Sequence, residues 1–319
     1  MQNPSLTILI PCLNEELGIG AVVAEHRAEF PRARILVVDN GSTDRTAEIA
    51  RAAGAEVLYE PRRGKARAIQ TALSEVDSDL VIMTDGDGSY PAKGARILHD
   101  EYLRAPADMI TGIRCAAEKS EVFRPMHQFG MSVFATILKT VFGHRFADLF
   151  SGLRLFSSRF YRNVPVLSGG FELEIELTLQ AIDKGFSTRD VLTPFRARAE
   201  GSVSKLRTFR DGWLIMRFLL LLFRDFKPLT CFGAVAVVTL LLGLLAGSVP
   251  VVEFMQTGLI SHFPLAILAA ALVNIAVILL LVGVLLQSSL RHHREAYQVQ
   301  LRKHGGLRAT TQPDHRAVS

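Results

Sequence analysis

The sequence predicts an α/β domain, a mostly parallel sheet covered by helices, followed by interfacial helices and a two-helix transmembrane hairpin. Three observations predict it. The first 115 residues alternate short β-rich runs with amphipathic helical stretches, acidic and small polar residues gather just after those runs, and two uncharged apolar blocks dominate the chain beyond Leu229. At 319 residues, one large or two smaller folded units are expected.

The β-rich runs are Leu6–Ile10, Ile35–Val38, Glu56–Tyr59 and Leu80–Met83, each followed by a helical stretch. That alternation is the pattern of a parallel sheet with covering helices, in which ligands sit beyond the carboxyl ends of the strands. The residues placed there are Asn14 and Glu15, then Asp39 with Gly41, Ser42 and Asp44, then Asp85 and Asp87. Between Met126 and Phe146, the residues Phe129, Val133, Ile137, Val141 and Phe142 recur at helical spacing beside Lys139, His144 and Arg145. This stretch reads equally as an interfacial helix or as an ordinary core-facing one. Leu206–Phe226 interleaves Arg207, Arg210, Arg217 and Arg224 with Trp213 and a Leu/Phe-rich face, the composition of a helix lying in a membrane interface.

Leu229 to about Val252 and Phe263 to about Leu286 are almost entirely apolar and carry no charge up to Val252 and Leu286. Roughly 20 helical residues cross the ~30 Å hydrocarbon core, so each block suffices for one span. The stretch Ser248–His262 holds Glu253 and no Lys or Arg, whereas Arg224 and Lys227 precede the first span and Arg291 and Arg294 follow the second. The positive-inside bias then puts both termini in the cytoplasm, with the chain in the plasma (inner) membrane. The resulting division is 1–205 catalytic domain, 206–228 interfacial helix, 229–290 two spans, and 291–319 a basic, partly disordered tail.

A net charge of +5 could suit nucleic acid, but Arg and Lys cluster around the apolar blocks and in the tail, which fits a lipid bilayer and excludes a nucleic-acid partner. Cys12, Cys115 and Cys231 lie far apart and form no metal or disulfide pattern, which fits a reducing compartment. Met1–Thr7 has no secretory n-region or h-region. No GxGxxG follows the first strand and no GxxxxGK[ST] occurs, so a dinucleotide dehydrogenase and a P-loop ATPase lose their support. Asp85-Gly86-Asp87 instead offers two carboxylates on one loop, separated by a glycine that lets a ligand approach the backbone. Oxygen ligands of this kind suit Mg²⁺ or Mn²⁺ bridging to a substrate diphosphate. An EF-hand is excluded, because Tyr90 and Arg96 stand where it needs Gly and Glu.

Ile10-Pro11-Cys12-Leu13-Asn14-Glu15, Val37 to Asp44, Gly64-Lys65 and Asp85-Gly86-Asp87, in this order and spacing, resemble the GT-A fold glycosyltransferases of family 2. Three later segments narrow the resemblance: Asp148-Leu149-Phe150-Ser151-Gly152-Leu153-Arg154, Gly170-Phe171-Glu172-Leu173-Glu174, and Arg198 to Lys205. These are similar to the polyprenyl-phosphate glycosyltransferases, the group of the dolichyl-phosphate mannose synthases and bacterial undecaprenyl-phosphate sugar transferases. The resemblance spans about Leu6 to Leu290.

It implies inverting transfer of a sugar from a UDP- or GDP-linked donor to a polyprenyl phosphate, with Mg²⁺ or Mn²⁺ as cofactor. Pro11, Leu13, Asn14, Glu15, Asp39, Gly41, Ser42, Lys65, Asp85 and Gly86 would hold the nucleotide-sugar, with Asp39 accepting from the base. Asp85 and Asp87 are the metal candidates, Asp85 contacting the ribose or metal side and Asp87 being the principal ligand. Asp87, Asp148 and Arg154 are the catalytic candidates, and Arg114, Arg124, Ser202, Ser204 and Lys205 would grip the acceptor phosphate. Ser89 and Arg45 depart from residues common in the family (Gln and Gly), which bears on the sugar and nucleotide and not on the reaction class. Homo-oligomerisation stays open.

Several of these residues also have plainer readings. Gly41 suits a tight turn, Arg154 could pair with Asp148 inside the domain, and Glu172 and Glu174 favour a helix start by charge alone. Lys205 could meet anionic headgroups, although Ser202 and Ser204 beside it favour a phosphate. A processive polysaccharide synthase is disfavoured, because the single tryptophan, Trp213, follows Gly212 and forms no Q-x-x-R-W motif. A non-enzymatic membrane subunit that binds nucleotide or a partner, or a transferase using another lipid acceptor, is the competing reading.

Overall fold

The computed structural model describes residues 4–114, 148–166, 173–196 and 223–304, the side chains of 302–304 excepted. The chain divides into two compact units, Met1–Arg207 and Thr208–Ser319.

In the first unit the strands are β1 (Leu6–Cys12), β2 (Arg34–Asp39), β3 (Glu56–Tyr59), β4 (Leu80–Met83), β5 (Met109–Arg114), β6 (Arg154–Ser157) and β7 (Thr188–Thr193). The helices are α1 (Ile19–Glu29), α2 (Thr46–Ala52), α3 (Lys65–Glu75), α4 (Ala92–Arg104), α5 (Ser158–Tyr161) and α6 (Leu173–Asp183). All seven strands form one sheet in the order β3-β2-β1-β4-β6-β5-β7. The pairs β1/β2, β1/β4, β2/β3 and β5/β7 are parallel, and β6 runs antiparallel to both β4 and β5. The α/β class and the mostly parallel sheet are as expected.

Sequence explains which strands are central. β4 reads Leu-Val-Ile-Met with all residues buried, and β2 is buried from Ile35 to Asp39. Continuous apolar runs of this kind are what a sheet covered on both faces requires. Ile8, Ile10, Ile35, Val37, Leu80, Ile82 and Leu155 form the core with Val22 and Val23 of α1 and Leu98 of α4. The edge strand β7 instead alternates exposed and half-buried residues and carries Arg189 and Asp190, charges that blunt an open edge.

The four expected strands are present. β1 and β2 run further than expected because their parallel ladder continues to the Cys12↔Asp39 pair. Reversal of β6 has the larger consequence. Its first residue, Arg154, pairs with Met83 at the end of β4, so the 148–153 turn arrives at the edge where β1, β2 and β4 finish.

In the second unit, α7 (Pro228–Thr257) and α8 (Phe263–His304) pack together. α7 stops at Gly258, whose φ of 72° lets its N–H reach the Phe254 carbonyl, a glycine C-cap. The connection is fastened by Glu253, which accepts from the Ser261 and His262 backbone N–H groups and lies 2.9 Å from His262 Nδ1. Small residues set the helix contact: a Cβ on Gly243 would lie 3.1 Å from Leu272, one on Gly247 3.3 Å from Ala269, and one on Gly283 3.1 Å from Phe232. These pairings make the helices antiparallel, and close packing at glycine is the usual device between apolar helices.

Windows of the two helices have mean hydropathy 2.4 and 3.0, and each helix is long and apolar enough to cross a membrane. Leu241, Leu245, Ile278 and Leu285 are exposed, which suits lipid and not water. α8 extends past the expected end of the second span, through Arg291 and Arg294 to His304, so the start of the region expected as a tail is helical. The expected helix at 126–146 lies outside the described residues, as do nearly all of the expected interfacial helix and the tail beyond 304.

Candidate functional site

The order of strands reverses between β1 and β4, and at such a point the loops leaving neighbouring strands splay apart to leave a crevice. On one side the loops after β1 and β2 interlock. Asn14, at φ 54°, occupies the left-handed region that Asn tolerates better than most residues. Its Oδ1 accepts from the Thr43 N–H at 2.8 Å, and its own N–H donates to Ser42 Oγ at 3.0 Å. Glu15 N–H donates to Thr46 Oγ1 at 2.8 Å, and Ser42 N–H to Asp39 Oδ1 at 3.0 Å. Gly41, at φ 76°, permits the turn between them. Pro11, Leu13, Asn14, Glu15, Asp39, Gly41 and Ser42 are thus brought into one stitched rim.

Asp85-Gly86-Asp87 leaves β4 on the other side. A Cβ on Gly86 would lie 2.5 Å from Cys12 Sγ, so only glycine fits against β1 here. Burial pushes the Cys12 thiol up, and the carboxylates of Glu15, Asp85, Asp39 and Asp87 add to the effect, which makes it a packing group and not a nucleophile. Asp87 is buried, and its Oδ1 accepts from Ser89 N–H at 3.0 Å and Ser89 Oγ at 2.6 Å.

Lys65 reaches Asp85 from α3. Its Nζ donates to Asp85 Oδ1 at 2.6 Å and to Glu174 Oε1 at 2.7 Å. Burial alone would lower its pKa, but the two carboxylates outweigh burial and raise it, so the ammonium is permanently charged. The loop before it is fixed by Asn40, whose amide donates to the Glu60 and Arg62 carbonyls and accepts from Gly64 N–H at 2.6 Å. Glu60 is held well below the usual carboxylate range by Arg62 and by the Thr71 hydroxyl.

The turn before β6 closes the crevice. A Cβ on Gly152 would meet Asp85 Oδ2 at 2.4 Å, and the Gly152 N–H donates to the buried Tyr90 hydroxyl at 3.0 Å. Arg154 does not pair with Asp148. With no exposed surface, it donates to the Ser151 and Leu149 carbonyls, each at 3.0 Å, and to Thr178 Oγ1 at 2.7 Å. Asp148 pairs with Arg114 instead, Nε to Oδ2 at 2.7 Å and Nη2 to Oδ1 at 2.8 Å, and Arg114 sits over the Phe195 ring. The bidentate pair raises the Arg114 pKa further. Arg124, Ser202, Ser204 and Lys205 lie outside the described residues.

Sequence reasoning missed Asn40, Tyr90 and the contact of Glu174 with Lys65. An Asn directly before a glycine was the signal available for Asn40, whereas the contacts of Tyr90 with Gly152 and of Glu174 with Lys65 form across 62 and 109 residues of sequence and left none. Among the described residues no group of three or more His, Cys, Asp or Glu is placed to hold a metal. Two carboxylates on a glycine-bent loop fit a divalent cation that takes its remaining ligands from substrate phosphates and water.

The family profile described as Glycosyl transferase family 2 matches residues 7–164. "Glycosyltransferase AglJ" of Haloferax volcanii is 32% identical over 292 residues, covering 91% of this chain and 95% of the relative. "Dolichyl-phosphate hexose transferase" of the same organism is 29% identical over 212 residues, 65% of this chain and 89% of the relative. Glucosyl-3-phosphoglycerate synthase from Mycobacterium tuberculosis, solved with Mn²⁺, UDP-glucose and phosphoglyceric acid, superposes with a TM-score of 0.57 at 20% identity, covering 69% of this chain and 79% of that one. The same enzyme has been solved with Mg²⁺ and UDP. At this identity the likeness establishes the shared fold.

Proposed function

The chain belongs to glycosyltransferase family 2, as a hexosyltransferase with a GT-A catalytic fold, and from that premise we propose that it moves a sugar from a UDP- or GDP-linked donor onto a polyprenyl phosphate at the cytoplasmic face of the plasma membrane. One observation carries the choice of acceptor: a donor-type crevice and two membrane-length helices occur on a single chain. The named dolichyl-phosphate hexose transferase supports the same acceptor class.

In this reading the rim from Pro11 to Glu15, with Asp39, Gly41 and Ser42, holds the nucleoside, and Asp39 accepts from the base. Lys65, Asp85 and Gly86 face the diphosphate. Asp85 and Asp87 would hold a Mg²⁺ or Mn²⁺ ion, which would supply Lewis acidity to the departing diphosphate. A phosphate monoester has a second pKa near ~6, so at neutral pH the acceptor oxygen is already largely an anion and needs no strong base. This agrees with Asp148, both of whose oxygens are engaged by Arg114. Asp148 therefore orients Arg114, and Arg114 joins Arg124, Ser202, Ser204 and Lys205 in holding the acceptor phosphate. The phosphate oxygen attacks the sugar C1 as the bond from C1 to the donor diphosphate breaks, which inverts the anomeric centre and releases the nucleoside diphosphate. Arg154, wholly buried, positions the 149–151 turn and touches no reactant.

The test is to incubate detergent-purified protein with Mg²⁺ or Mn²⁺, a panel of UDP- and GDP-sugars and a polyprenyl phosphate, and to seek lipid-linked sugar by mass spectrometry. One donor should give product, and Asp87→Ala should reduce turnover by at least ~100-fold. Absence of product with every donor, or full turnover in Asp87→Ala, would overturn the reading.

A further inference from the structure

We propose that Glu174 is a positioning residue that keeps Asp85 competent to bind metal by sharing the charge of Lys65. The inference rests on the reading of Asp85 as a metal-side ligand. Lys65 Nζ stands between two carboxylate oxygens at nearly equal distances, 2.6 Å to Asp85 and 2.7 Å to Glu174. Glu174 is 6% exposed. A carboxylate so buried requires a partner, and Lys65 is the cation hydrogen-bonded to it. Its backbone is tied as well, because Thr178 Oγ1 donates to the Glu174 carbonyl at 2.8 Å and itself accepts from Arg154. Position in the first turn of the eleven-residue α6 favours the negative charge further.

The three side chains carry one positive and two negative charges. With Glu174 present, the ammonium is divided between two acceptors and Asp85 keeps uncompensated negative charge. With Glu174 neutral, Lys65 pairs with Asp85 alone, and a paired carboxylate is a poor ligand for a cation. Asp85 Oδ2 lies against Gly152, which limits its movement on that side. Glu174 thereby acts through Lys65, at a distance from the reacting atoms.

The test uses full-length protein in detergent and reads Mn²⁺ binding in the presence of UDP or GDP by the loss of the free-ion electron paramagnetic resonance signal. Glu174→Gln should weaken Mn²⁺ binding at least tenfold, and Glu174→Asp should recover part of the loss. Lys65→Met/Glu174→Gln, which leaves no buried carboxylate without its cation at position 174, should bind Mn²⁺ within about twofold of Lys65→Met, because the effect of Glu174 requires the lysine. Unchanged binding in Glu174→Gln, or independent penalties in the double variant, would overturn the inference while leaving the glycosyltransferase reading intact. Wild-type protein that binds no Mn²⁺ with either nucleotide would instead remove the metal-dependent reading on which it stands.

Discussion

At the scale of single residues, the site depends on places where no side chain fits. Gly86 lies so close to Cys12 that any Cβ must displace the sulfur or the loop, and the loop carries Asp85 and Asp87, the carboxylates proposed to hold the metal. Gly86→Ala should therefore lower turnover toward ~100-fold, as misplacement of reacting groups by about 1 Å does. Cys12→Ala in the same chain should restore most of it by making room. Steady-state assay of the single and double variants decides this, and a Gly86→Ala enzyme of normal activity would show that the loop yields freely. Cys12, buried inside a recognisable motif, thus bears on the site through its size.

Among the elements, α1 shows how packing sets a pH limit. His26 is fully buried on its inner face, with Nδ1 2.9 Å from the Val22 carbonyl and Nε2 without a partner among the described residues. Burial lowers its pKa below the ordinary 6.5, only partly opposed by the Val22 carbonyl and by Glu25 and Glu29. The folded chain thus holds the imidazole neutral. Its stabilising share is complete above the unfolded value of about 6.5 and is lost as pH falls below it, because the unfolded chain takes up the proton first. Between about pH 7.5 and 5.5 the wild-type melting temperature should fall further than that of His26→Leu, by up to ~4 °C. Parallel curves for the two proteins would refute this. Elements also show what a sequence discloses. β1, β2 and β4 announce themselves by continuous apolar runs, and the rim residues by their place just beyond them. β6 is only Arg-Leu-Phe-Ser, and nothing local says that it runs backwards or that Arg154 turns inward to backbone carbonyls. For the same reason Asp148 was legible as a site residue, whereas its pairing with Arg114, formed across 34 residues of sequence, was not.

For the whole molecule, the proposed function places the residues for both donor and acceptor phosphate in the first unit and leaves to the second the two membrane-length helices. Removal of the chain from Leu229 onward should spare nucleotide binding, because the donor rim is built entirely from residues before β5. Turnover on long-chain acceptors should drop by ~100-fold or more, since holding both reactants at one surface raises their effective concentration by comparable factors. Calorimetric nucleotide binding beside turnover with long-chain and short-chain acceptors would check this, and equal turnover by the truncated protein would reject the role assigned to the helices. The length of α8 adds a physical consequence. Its uncharged stretch, Phe263–Leu290, rises about 42 Å at ~1.5 Å per residue, more than the ~30 Å of hydrocarbon in a bilayer. In the proposed membrane setting, a stiff rod paired with a shorter one converts bilayer thickness into tilt, so the enzyme's output would vary with the acyl-chain length of the lipids around it.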